Sequence, residues 1–153
     1  MKKIVITSWY FNPIHPGHIE CFELCKSLGD ELRVIVNNDA QVKIKTGKEI
    51  PFQDQIYRMK VVSSMKVVDH VILSIEDKNT PNQTALYQPI VESIKYVAGL
   101  IKQEYGPETK IVFGKWGDRW AENTPEANIC AELEIEIIYG LGAKTHNSSE
   151  YRK

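Results

Sequence analysis

Cysteine is scarce in this chain: Cys21, Cys25 and Cys130 are the only three among 153 residues. That fits a reduced, cytoplasmic protein better than a disulfide scaffold. Excess charge of either sign is missing too. Nineteen basic residues against twenty acidic ones leave a formal charge of -1, so there is no global basic field for nucleic acid. An anionic ligand would have to be held by a local cluster. No apolar run reaches membrane-spanning length, and Met1-Lys2-Lys3 leads straight into a strand pattern rather than a signal segment. Repeats, low-complexity tracts and linkers rich enough to split the chain are absent. What remains is an ordinary globular composition, 42% hydrophobic and 25% charged, on a chain long enough to bury one core. A single domain over 1–153 is expected, with 139–153 as a short tail.

Strand and helix patterns alternate. Apolar β-like runs fall at 3–8, 31–37, 67–75, 110–114 and 135–139. Helical patterns fall at 17–28, 51–65, 82–105 and 125–133, with Thr124 as an expected N-cap and Pro125 at a first helical position. Pro89 is expected to kink or delay the third of these helices. Residues 41–49 read as a polar, lysine-bearing loop. The alternation predicts an α/β domain of Rossmann-like type, a five-stranded parallel sheet with helices on both faces.

The most informative string is Phe11-Asn12-Pro13-Ile14-His15-Pro16-Gly17-His18. It lies where the first strand hands over to the first helix, the junction at which open α/β sheets bind anionic ligands. Gly17 has no Cβ, which would allow close approach of a polyphosphate. Free amides at the helix start point toward the same space. Histidines can donate to oxygens whose charge grows during reaction at phosphorus. The two imidazoles are therefore expected to face a triphosphate in a solvent-filled cleft. An alternative set, His15, His18, Cys21 and Cys25 as zinc ligands, has the spacing of a buried helical stripe and is set aside.

This string resembles the HxGH signature of the nucleotidyltransferase superfamily. Residues 29–39, Lys43 to Lys48, the Arg58-Met59 helix and Val67-Val68-Asp69-His70-Val71 are similar to the glycerol-phosphate cytidylyltransferase and heptose-phosphate adenylyltransferase branch. Gly117-Asp118-Arg119 and Asn123-Thr124-Pro125-Glu126 resemble the region after that branch's fourth strand. The resemblance implies transfer of a CMP or AMP group from a nucleoside triphosphate to a phosphorylated small molecule, a sugar or polyol phosphate, with release of pyrophosphate. It implies His15 and His18 on the nucleotide phosphates, phosphate-contacting lysines at Lys43 or Lys45, and a nucleotide beside Tyr10, Phe11, Asn12 and Gly17. Magnesium would accompany the triphosphate, no metal-ligating cluster of the protein is expected, and related enzymes commonly form homodimers.

Three further segments enter on the same footing. Asp118 and Arg119 would hold the acceptor, with Arg58 as an alternative substrate contact or a surface ion pair. Trp116 would wall the pocket or cover a core edge. Lys144, Ser148 and Ser149 stand where the family's second motif grips the outer phosphates, in an altered form. Two readings stay open beside the sugar-phosphate one. Asn at position 12, where that branch usually has Asp, leans toward an adenylyltransferase for nicotinamide mononucleotide or a flavin precursor. The altered second motif leaves room for a nucleotide-binding module without turnover.

Overall fold

The computed structural model describes residues 1–75, 84–117, 126–142 and 151–152, the side chains of 84–88 excepted. The elements run β1 (Lys3–Trp9), α1 (Pro16–Ser27), β2 (Glu31–Val36), α2 (Asp39–Thr46), α3 (Gln55–Ser63), β3 (His70–Leu73), α4 (Thr84–Tyr105), β4 (Lys110–Trp116), α5 (Ala127–Glu132) and β5 (Glu136–Leu141). The five strands form one all-parallel sheet in the order β3-β2-β1-β4-β5.

Both faces of this sheet are covered, which is why its central strands read as continuous apolar runs. Side chains alternate across a strand. Ile4 and Ile6 therefore join Ile94, Val97 and Ile101 of α4 on one side. Val5 joins Phe22 and Cys25 of α1 and Val62 of α3 on the other. Ile4, Val5 and Ile6 are all completely buried. At about 1.5–3 kcal/mol for each buried aliphatic side chain, this strand anchors both layers.

The lysine segment differs from the expected loop. Asp39–Thr46 is a helix. The Asn38 side chain accepts from the Gln41 amide and the Gln41 side chain accepts from the Asn38 amide. This reciprocal cap uses Gln at the third helical position, and Gly47 stops the helix at φ 72. The polar composition of 41–49 hid a helix that packs mainly by its caps and by Val42. The following helix starts at Gln55, behind an Asp54 N-cap, and not at Pro51. The third strand is shorter than expected, 70–73 against 67–75, because Met65 to Val68 turn before it. Pro89 is accommodated inside α4. For α5, Glu126 stands at the N-cap position without a side-chain cap, while Thr124 and Pro125 lie outside the described residues.

Candidate active site at the sheet switch point

From β1 the chain builds β2 and β3 to one side, then β4 and β5 to the other, so the order reverses between β1 and β4. The two neighbours of β1 leave it at different heights. Pairing with β2 continues to Trp9↔Val36, whereas pairing with β4 ends at Ile6↔Phe113. Thr7 Oγ1 donates to Gly114 O at 2.8 Å just beyond the last pair. Past that bond the pairing of β1 with β4 has ended, at the carboxyl ends of the strands, the ligand position of such sheets.

The HxGH segment builds the adjoining helix start with its own side chains. His15 is the N-cap of α1, and its Nδ1 accepts from the Gly17 amide at 3.1 Å. His18, three residues on, returns the bond: its Nδ1 accepts from the His15 amide at 3.2 Å. Two histidines thus play the parts that Ser and Glu usually take in a capping box. The rings stack with centroids 3.7 Å apart and planes 22° apart. Gly17 serves this arrangement directly. A Cβ there would lie 2.9 Å from His15 Cε1, so the glycine makes room for the imidazole that caps it.

The bonding pattern assigns the protons. A ring that accepts at Nδ1 is neutral and carries its hydrogen on Nε2. Burial, then the neighbouring His15, pushes the His18 pKa down to about 3. His18 is 1% exposed, and its Nε2 is buried without a hydrogen-bond partner. A buried donor left unmatched costs about 1–3 kcal/mol. Among the described residues no acceptor meets it.

The rings do not face an open cleft as expected. His15 is 3% exposed. Trp116 lies 5.4 Å from the His15 ring and 4.8 Å from the His18 ring, Phe11 stands edge-on to His18 at 5.1 Å, and Tyr151 lies over His15 at 6.0 Å. An apolar junction at the end of an open sheet is covered by whatever aromatic surface can reach it. Here Trp116, weighed as a pocket wall, is that cover, together with a residue from the tail.

The other expected site residues divide. Lys45 Nζ lies 5.2 Å from the centroids of both the Trp9 and Tyr10 rings, at the end of β1. Lys43 turns away and pairs with Glu49 at 2.8 Å, both well exposed. Asn12 is buried, its Oδ1 accepting from the Gln53 amide at 2.9 Å. Phe11 is buried at φ 54, a strained position for a residue with a Cβ, and packs on Phe22.

Arg58, expected as a substrate contact or surface ion pair, is neither. It is among the largest fully buried side chains. Its guanidinium donates to the carbonyls of Gln53 (2.9 Å), Tyr10 (2.7 Å) and Asn37 (2.6 Å) and to Asp39 Oδ1 (2.7 Å). Burial lowers its pKa and the Asp39 carboxylate opposes that. The planar fork joins the turns after β1 and β2, with four of its five N–H donors committed to the protein. Asp118, Arg119, Lys144, Ser148 and Ser149 lie outside the described residues.

One pair near the site had no signal in the spacing. Lys115 Nζ and Glu126 Oε1 meet at 2.8 Å, each side chain only 4% exposed, with the ammonium 5.6 Å over the Trp9 ring. Glu126 Oε2 is buried without a partner. Arg152, likewise unforeseen, donates through Nη1 to Asn12 O. Among the described residues no group of three or more His, Cys, Asp or Glu side chains could hold a metal. Cys21 and Cys25 face the core, their sulfurs 3.9 Å apart.

Comparisons with known proteins bear on the family and the fold. The family model described as cytidylyltransferase-like matches residues 10–134. A FAD synthase of Methanocorpusculum labreanum is 37% identical, covering 87% of this chain and 81% of that protein. A bifunctional protein HldE of Actinobacillus succinogenes is 35% identical over 76% of this chain, which spans about a quarter (24%) of that longer protein. Among solved structures, the lipopolysaccharide core biosynthesis protein of Thermoplasma volcanium superposes with a TM-score of 0.61 at 26% identity, covering 93% of this chain and 98% of that one. A bifunctional NMN adenylyltransferase/ADP ribose pyrophosphatase of Francisella tularensis shares the fold at 13% identity, with a TM-score of 0.57, 99% of this chain and 41% of that one covered. Its motif, its sheet and these relatives place the chain among the nucleotidyltransferases, as a member of the cytidylyltransferase-like family.

Proposed function

We propose that this chain transfers a CMP or AMP group from a nucleoside triphosphate to a phosphorylated small molecule and releases pyrophosphate. A phosphate oxygen of the acceptor attacks the α-phosphorus. The new P–O bond forms as the α–β bridge breaks, and the bridging oxygen leaves with pyrophosphate. No covalent enzyme intermediate and no change of oxidation state are needed. The protein must align two anions and stabilise a charge-rich transition state.

The observation that carries this reading is the neutral, buried Nε2–H of His18, which has no partner among the described residues. His15 and His18, stacked at the amide-rich start of α1, donate to phosphate oxygens without bringing a second cation into a buried site. Lys45 supplies a positive charge beside Trp9 and Tyr10. Lys43 contributes less, because Glu49 already balances it. Tyr10, Phe11, Asn12 and Gly17 form the wall beside the nucleotide. By resemblance, Lys144, Ser148 and Ser149 grip the outer phosphates, and Asp118 and Arg119 hold the acceptor. Magnesium would enter on the triphosphate, whose phosphate oxygens and water suit its preference for oxygen ligands. The reading includes a homodimer working in the cytoplasm, and no described helix is long and apolar enough to cross a membrane.

The name of the FAD synthase relative puts a flavin acceptor beside the sugar and polyol phosphates. Pyrophosphate release with each nucleoside triphosphate, magnesium and a panel of phosphorylated acceptors tests the reaction. Tight nucleotide binding with no pyrophosphate from any acceptor would leave the non-catalytic module as the better account.

A further inference from the structure

The contacts proposed for the phosphates leave a second buried, unmatched group unused. Lys115 is the last residue but one of β4, and Glu126 stands at the N-cap position of α5. Lys115 Nζ donates to Glu126 Oε1 at 2.8 Å, and both residues are buried. A buried charge pair is well compensated only when its remaining lone pairs and protons are matched as well. Here Glu126 Oε2 has no hydrogen-bond partner among the described residues. The ammonium makes one hydrogen bond among them, so two of its three N–H groups are not engaged.

The pair lies at the switch point. Ladder pairing of β1 with β4 ends at Ile6↔Phe113, and Lys115 is two residues past it. Lys115 Nζ lies 5.6 Å from the centroid of the Trp9 ring, so this side chain spans from β4 to the end of β1 where no ladder joins them. The Trp9 ring is 5.8 Å from that of Trp116, which is 4.8 Å from the His18 ring. Two indoles thus stand between the imidazoles and the ion pair.

We propose that Glu126 and Lys115 read the base of the nucleotide, and that they select a base carrying an amino group beside an unprotonated ring nitrogen. The proposal rests on the nucleotidyl-transfer reading and adds how the base is chosen. A triphosphate seated at the imidazoles carries its base away from them, and a flat ring passing along the two indoles arrives at the pair. Cytosine presents an amine beside N3, and adenine an amine beside N1. In either, the amine donates to Glu126 Oε2 and the ring nitrogen accepts from an unengaged N–H of Lys115. Uracil and hypoxanthine present the reverse, a carbonyl beside an N–H. That order sets oxygen against the carboxylate and N–H against the ammonium. Asn37 Oδ1 is also buried and unmatched, but among the described residues no cation bonds its side chain, so it lacks the donor that fixes the second atom of the edge.

The test is calorimetric titration of the purified protein, with magnesium, by CTP, UTP, ATP and inosine triphosphate, beside the pyrophosphate assay. Each pair, CTP with UTP and ATP with inosine triphosphate, exchanges an amino edge for an oxo edge on the same ring. In one pair the amino form should bind about 10–100-fold tighter, the worth of one hydrogen bond to a charged group. Which pair shows this separates cytosine from adenine. Glu126→Gln turns its amide oxygen to Lys115 and sets an NH2 donor where Oε2 was, so the preference should fall to parity or invert. Lys115→Met with Glu126→Leu fills the space with apolar atoms of similar volume and should abolish the preference in a protein whose thermal melt shows it folded. Equal affinity of the wild type for both members of each pair overturns the assignment. So does an undiminished preference in either variant, or a loss of affinity equal for all four nucleotides. Pyrophosphate release in any of those cases leaves nucleotidyl transfer standing without it. Failure of all four to bind overturns both. A preference that the variants remove, without pyrophosphate from any acceptor, upholds the base reading and removes the transfer reaction.

Discussion

Acidification isolates the state of His18 better than any truncation of it. The ring is neutral in the folded protein because burial and His15 hold its pKa near 3, against 6.5 for an ordinary histidine. Above pH 6.5 neither the folded nor the unfolded chain protonates it. Below that pH the unfolded chain binds a proton that the folded chain refuses, so stability falls as pH falls, and continues to fall until about pH 3. The loss by pH 5 is about 2 kcal/mol, at about 1.4 kcal/mol per unit. For a domain of this size that is roughly a 4–8 °C drop in melting temperature. His18→Gln supplies the control. Glutamine at the third helical position can still accept from the His15 amide, so the cap survives while the titrating group is gone. Thermal melts at pH 7.5 and pH 5 should show the wild type losing about 2 kcal/mol more than His18→Gln on acidification. Identical pH dependence in the two proteins would refute a neutral buried His18. The variant should also lose about 10²–10³-fold in kcat, the usual cost of one transition-state donor.

Three further outcomes follow from packing. Lys115→Met alone strands the Glu126 carboxylate in a buried site and should cost about 3–5 kcal/mol in denaturant unfolding, while Lys115→Met with Glu126→Leu should recover most of it. Arg58→Lys keeps the charge but cannot meet three carbonyls and Asp39 at once; it should destabilise the protein by about 3 kcal/mol and lower kcat/KM, because the turns after β1 and β2 lose their common tie. Gly114→Ala should cost about 1–3 kcal/mol in the same unfolding experiment, since its Cβ would stand 2.5 Å from Cys25 Sγ and 2.8 Å from Leu141 Cδ1.

The parallel sheet and the place of the HxGH segment were legible in the chain because they are local or periodic properties. Runs such as Ile4-Val5-Ile6 and Ile111-Val112-Phe113 can be buried on both faces only in a covered sheet. Histidine, glycine and histidine at a strand-to-helix junction specify a helix start whatever surrounds it. Lys43 and Lys45 follow β2 two residues apart, and their different surroundings could not be told apart without knowing that 39–46 is a helix. That helix escaped notice because its stabilisation comes from a reciprocal Asn38–Gln41 cap, a pairing of two polar residues that composition reads as loop.

Contacts across long separations were decided by the tertiary structure alone. Arg58 lies 48 residues from Tyr10 and 21 from Asn37, and only the packing of α3 against the ends of β1 and β2 turns a helical arginine into a buried clamp. Lys115, near the end of β4, and Glu126, just before α5, become a pair only in the folded chain. The protonation of His18 belongs to the same class. The sequence names the residue, but Trp116, Phe11 and the fold around them remove the water, and the removal of water holds the ring neutral with its donor unmatched.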